Sequence, residues 1–181
     1  METHIMGIDG SATARNRVKS GAMPDWVTKC PYDSEFKSEQ GSPQTYLLFD
    51  RQIHAELHQT YVHVALRLET MEAVQHYGQW RLQFQPKTQS YTLHLLKIRR
   101  GEAEFDQLNL ETTHFLQREE GLEQQVIGGW FTVIQVLEDL RSGDVLEWAH
   151  TLEATLPILP NSCTSFFELP EGRRSENIIS R

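Results

Sequence analysis

Between Gln79 and Gln85 the chain reads QWRLQFQ, in which Trp80, Leu82 and Phe84 alternate with Gln79, Arg81, Gln83 and Gln85, and Pro86 follows at once. A period of two is the spacing at which successive side chains leave opposite faces of a strand, so this run buries one face and wets the other. Pro86 ends it, because proline has no amide hydrogen to give to a ladder. The run YVHVALRL alternates as strictly, with Val62, Val64, Leu66 and Leu68 on one face and Tyr61, His63, Ala65 and Arg67 on the other. It predicts a half-buried strand.

Four further stretches, TYLLFDRQI, SYTLHLLKI, WFTVIQVL and VLEWAHTLE, have strand character and are divided by turns such as Arg100-Gly101 and Ser142-Gly143-Asp144. Short strands at this spacing, without long helical periods between them, favour antiparallel hairpins in a sandwich or barrel over parallel βαβ units. WFTVIQVL is apolar on both faces, as a central or doubly covered strand would be. The one helical turn expected is at QREEGLEQQ, kept short by Gly121. With 181 residues the chain has the length of one domain. Its expected layout is a disordered leader over 1–23, a sandwich domain over 24–170 and a C-terminal tail over 171–181. Within the domain, residues 24–43 carry Trp26, Val27, Tyr32 and Phe36 among polar neighbours and read as an irregular arm lying over the strands.

A formal net charge of -8 argues against a nucleic-acid or anionic-membrane partner. No run of about 18 apolar residues is present to span a membrane. The first twenty residues lack the apolar stretch of a secretory signal, so a cytoplasmic location is expected. Cys30 and Cys163 are outside any CxxC or metal-type spacing and read as free thiols.

No residue set in the chain compels a catalytic, cofactor or metal assignment. His54 and His58 on one extended strand would stand about 13 Å apart, too far to share an ion. His150 falls on the face of Leu146, Trp148 and Leu152, and reads as a core or rim histidine satisfied by a backbone carbonyl. The competing reading is a hydrolase or transferase in which His150 works with Asp144 or Glu147, although alternation turns Glu147 to the other face. A cysteine nucleophile needs a histidine base. Cys163 has no histidine after it in the chain, and Cys30 lies in the arm between Lys29 and Pro31. The glycines at Gly128-Gly129 lack a phosphate-loop spacing. Lys97, Arg99 and Arg100 read as a solvated hairpin tip, and Glu119, Glu120 and Glu123 as a solvated face.

The ordered runs YLLFDRQIHAE, YVHVALRLE, WRLQFQPKTQSYTLHLLKIRRGE and LEDLRSGDVLEWAHTLE, spread over Trp26 to Phe167, resemble the domain of unknown function 3857, a bacterial module that precedes transglutaminase-like domains. The most specific pieces are FQPKTQSYTLHLLKIRRGE and LRSGDVLEW, and neither carries catalytic residues in that family. The resemblance implies an immunoglobulin-like antiparallel β-sandwich beside a papain-like catalytic domain. This chain ends after FFELPEGRRSENIISR, where family members continue into that domain. The expected function is therefore a non-catalytic accessory or binding domain, without cofactor. Its expected partner is a transglutaminase-like domain or another protein or polymer ligand.

Overall fold

The computed structural model describes residues 10–37, 41–118 and 129–154. In chain order its elements are α1 (Gly10–Arg15), β1 (Val18–Ser20), β2 (Gln44–His54), β3 (Gln59–Leu68), α2 (Met71–Tyr77), β4 (Gln79–Phe84), β5 (Gln89–Arg100), β6 (Ala103–Asp106), β7 (His114–Arg118), β8 (Trp130–Val136) and β9 (Val145–Ala154). The large sheet runs β1-β5-β9-β3-β2, with β6 also on β5, and the small sheet runs β4-β8-β7. The two pack together as an all-β sandwich, as the alternating runs require.

The core lies between the sheets. Val64, Leu66 and Leu68 of β3, Leu96 and Ile98 of β5 and Leu146 of β9 meet Trp80 and Phe84 of β4 and Phe131 and Val133 of β8. Trp80 and Phe84 point inward as the QWRLQFQ pattern predicts, and Gln79, Arg81 and Gln83 are exposed. Gly101 and Gly143 take φ of 60° and 89°, the left-handed conformation that lets both predicted turns close.

The structure corrects several expectations. Residues 10–20 belong to the fold and not to a leader: Ala14 and Val18 are buried in the main core, and β1 joins β5 as a parallel pair through Val18↔Tyr91. Three residues are too short a run for alternation to be legible, which hid this strand. YVHVALRL is covered on both faces, since Tyr61 and Ala65 are only 2% and 0% exposed. Cys30 and Tyr32 of the arm supply the second cover over Ala65, while Tyr61 packs beside the rings of His63 and His94. WFTVIQVL is central in its sheet, as expected, and only its ends open to solvent on the outer face: Trp130 and Val136 are 38% and 50% exposed, while Thr132 between them is buried. The expected helical turn at QREEGLEQQ falls largely outside the described residues. No helix among the described residues is long and apolar enough to cross a membrane.

Helix α2 was not expected from periodicity, because seven residues span only two turns. Its signal is at the ends. Thr70 is the N-cap and its Oγ1 accepts from the amide of Ala73 at 3.2 Å, while Ala73 and Val74 face the core. Thr70→Ala leaves that amide unpaired and is expected to cost about 1 kcal/mol in urea denaturation, with Thr70→Ser close to wild type. Equal midpoints for the alanine variant and wild type would remove the cap's role.

Candidate functional site

The most concentrated polar chemistry lies on the outer face of the large sheet, under the arm. Register brings it together from four separate segments. Lys97 of β5 is paired with Glu147 of β9, Glu147 with Ala65 of β3, and His63 with Asp50 of β2. Ala65 and Ala149 keep the middle of this face low, and Leu47, Leu48 and Ala65 form a small apolar floor on which Cys30 and Tyr32 rest.

A bulge in β5 between Leu93 and Leu95 makes the arrangement possible. It shifts the alternation by one, so that Leu93 and Leu96, three residues apart, both enter the core while Lys97 turns outward. A second bulge, between Tyr46 and Leu48 of β2, lets Tyr46 and Phe49 pack toward the core and places Leu47 and Leu48 under the arm.

Glu147 is the hub. Its Oε1 accepts from His63 Nε2 at 2.8 Å. Its Oε2 accepts from the hydroxyl of Tyr32 at 3.0 Å and lies 3.6 Å from Lys97 Nζ. Burial by itself would raise the Glu147 pKa, but the His63 hydrogen bond and the Lys97 charge outweigh it and hold the carboxyl below its usual range. Arg99 donates to the Tyr32 hydroxyl at 2.6 Å. Burial, then the neighbouring Glu147, push that phenol up to about 12. The hub therefore stays anionic and Tyr32 protonated at neutral pH. Glu104 of β6 completes the charge balance, at 3.1 Å from Lys97 Nζ and 3.5 Å from Arg99 Nε.

The rest of the arm is held through its main chain. Gln52 accepts from the amide of Thr28 at 3.0 Å and donates to its carbonyl at 2.6 Å. A second donation, to Asp50 Oδ2 at 2.7 Å, fixes the orientation of this side chain. Arg67 donates to the carbonyls of Ser34 and Phe36 at 3.1 and 2.7 Å. At the other end Trp26 Nε1 donates to Gln59 Oε1 at 2.9 Å, and its ring meets His54 edge-on.

The residues weighed from the sequence are dispersed. His150 faces the core beside Tyr91, their rings 5.1 Å apart. Its buried Nδ1 has no hydrogen-bond partner among the described residues, where a backbone carbonyl was expected. Burial pushes its pKa down to about 3. Glu147 is on the opposite face, as alternation predicts. Asp144 is gripped by Arg100 through both carboxylate oxygens at 2.8 Å each. His150, Asp144 and Glu147 are thus not brought together.

Lys97, Arg99 and Arg100 do not share one solvated tip, because alternation sends Lys97 and Arg99 to the outer cluster and Arg100 to Asp139 and Asp144. His58 stands in the β2–β3 turn at φ 52° and shares no strand face with His54. Cys30 is a free thiol whose pKa is raised by burial and then by Asp50. Cys163, Glu119, Glu120, Glu123 and Gly128 lie outside the described residues. Among the described residues no group of three or more His, Cys, Asp or Glu is placed to hold a metal ion.

His63, Gln52 and Arg67 were not singled out in the sequence, and Tyr32 was read only as an anchor of the arm. The available signal was the outward face of YVHVALRL, where Tyr61, His63 and Ala65 stand in positions that a solvated strand fills with Lys, Glu or Gln.

No curated protein matches the chain. Among solved structures, one described as "a putative protease from Parabacteroides distasonis ATCC 8503" superposes with a TM-score of 0.53 at 14% identity, over 64% of this chain and 24% of that one. At that identity the likeness is one of fold, and this chain spans about a quarter of that protein's length. The family model described as "Domain of Unknown Function with solved-structure structure (DUF3857)" matches residues 54–178, well over half of the sequence. By that match, which agrees with the resemblance read from its strands, the chain belongs to the DUF3857 family.

Proposed function

We propose that this chain is a non-catalytic accessory domain, an immunoglobulin-like sandwich that binds or positions a protein partner such as a transglutaminase-like domain. The observation that carries this reading is the state of Glu147. The best candidate for an acid–base group has its two oxygens engaged by His63, Tyr32 and Lys97, and its lowered pKa makes it a weak base at neutral pH. Its neighbours hold an irregular length of chain against the sheet, which is work of binding and not of bond cleavage. Cys30, with its raised pKa, is held as the thiol, the form that does not attack.

The purified chain is expected neither to cross-link nor to hydrolyse glutamine-containing peptides, and alkylating both thiols is expected to leave its circular dichroism unchanged. A time-dependent acyl adduct on Cys30 or Cys163, detected by mass spectrometry and lost in the matching Cys→Ala variant, would overturn the non-catalytic reading. Binding is tested separately, by titrating a purified transglutaminase-like domain with the chain.

A further inference from the structure

We propose that the outer face of the large sheet is a reading surface for an extended peptide segment of a partner protein, and that residues 26–36 occupy it in cis as a displaceable strap. This rests on the reading of the chain as an accessory binding domain, and names the chemistry of what it binds. Two features separate the strap from an ordinary piece of the fold.

The first is the manner of its recognition. Gln52 meets both the amide and the carbonyl of Thr28, the donor–acceptor pair that a neighbouring strand would offer, and Arg67 forks onto the carbonyls of Ser34 and Phe36. These are main-chain contacts, which do not depend on the side chains of the bound segment, as in peptide modules where backbone bonds give affinity and side-chain sockets give selectivity. The sockets here are two. Gln59 and His54 receive the indole of Trp26. Arg99 and Glu147 receive the hydroxyl of Tyr32, with the Arg99 guanidinium 5.8 Å from the ring centroid. The surface therefore selects an extended stretch carrying a tryptophan and a tyrosine six residues apart.

The second feature is how lightly the strap is buried. None of residues 24–37 is fully buried, and Cys30 and Tyr32 rest on the small floor of Leu47, Leu48 and Ala65, whereas the preceding α1 and β1 enter the main core through Ala14 and Val18. The peptide groups of β1 and its flank are bound to β5, with Tyr91 N to Arg17 O at 2.8 Å and Gly21 N to Leu93 O at 3.1 Å. The strap can lift while both its ends stay anchored. Such tethering gives it an effective concentration on the order of millimolar, which a free segment must exceed or the strap must be weakened to admit.

The test uses the full chain. A fluorescent peptide of residues 24–37 (PDWVTKCPYDSEFK) is titrated into wild type and into the Trp26→Ala/Tyr32→Ala variant, whose own strap is weakened while the sheet is intact. The expected result is at least tenfold tighter peptide binding by the variant, lost again when Gln52→Ala and Arg67→Ala are added. Equal binding by wild type and variant, or no binding by a variant whose circular dichroism is native, overturns the proposal. Hydrogen exchange of the wild-type chain decides the matter independently of any variant. The Thr28 amide is expected to exchange at least tenfold faster than the ladder amides between β3 and β9, and equal protection overturns the strap as a displaceable element. A transglutaminase-like domain that still binds the wild-type chain after such a failure would leave the accessory reading standing on another surface.

Discussion

Replacing Trp80 with alanine is expected to lower the unfolding free energy by about 3–5 kcal/mol, the cost of truncating a large aromatic in a packed core. Trp80 is 5% exposed and stands with Phe84, Phe131 and Val133 on the inner face of a three-stranded sheet. Because that sheet is narrow, few neighbours are available to close the void, and the upper part of the range applies. Arg81→Ala, one residue along and on the opposite face, is expected to change stability by no more than about 0.5 kcal/mol. Urea denaturation of the pair measures both. A loss for Trp80→Ala below about 1 kcal/mol would mean that β4 presents its other face to the large sheet.

Acidification from pH 7 to pH 5 is expected to cost about 2 kcal/mol through His150 alone. Burial lowers the pKa of this histidine from 6.5 to about 3 in the folded protein. The unfolded chain therefore takes up the proton first. The stability that rests on a neutral His150 is complete above pH 6.5 and is lost as the pH falls from there toward about 3. His94 is also lowered by burial, and the Glu147 pKa lies below the usual carboxylate range, so both add acid lability of the same sign. His150→Leu separates the terms. It keeps an apolar side chain among Tyr91 and its neighbours and removes the buried nitrogen that lacks a partner. The variant is expected to lose about 2 kcal/mol less than wild type between pH 7 and pH 5 in paired urea titrations. The same pH dependence in both proteins would show that His150 is not buried in its neutral form.

Much of the sandwich was written locally. Alternation in QWRLQFQ and YVHVALRL, Pro86 after Gln85, and the glycines at 101 and 143 each act within a few residues, so the strands, their inward faces and their turns could be read without knowing what packed on them. The same local rule puts His150 and Glu147 on opposite faces of β9. What it could not supply was register and cover. The outer cluster exists because a bulge after Leu93 turns Lys97 toward Glu147, and because Tyr32, 115 residues before Glu147 in the chain, folds back over it. Bulges and long-range contacts of this kind carry no periodic signal. The burial of Ala65 was likewise set by an irregular arm and not by its own strand, and β1 found its place only by pairing with β5. Strand identity is a property of side-chain spacing along the chain, whereas the face that binds is made by which distant segments come to lie on it, and the tertiary structure alone decides that.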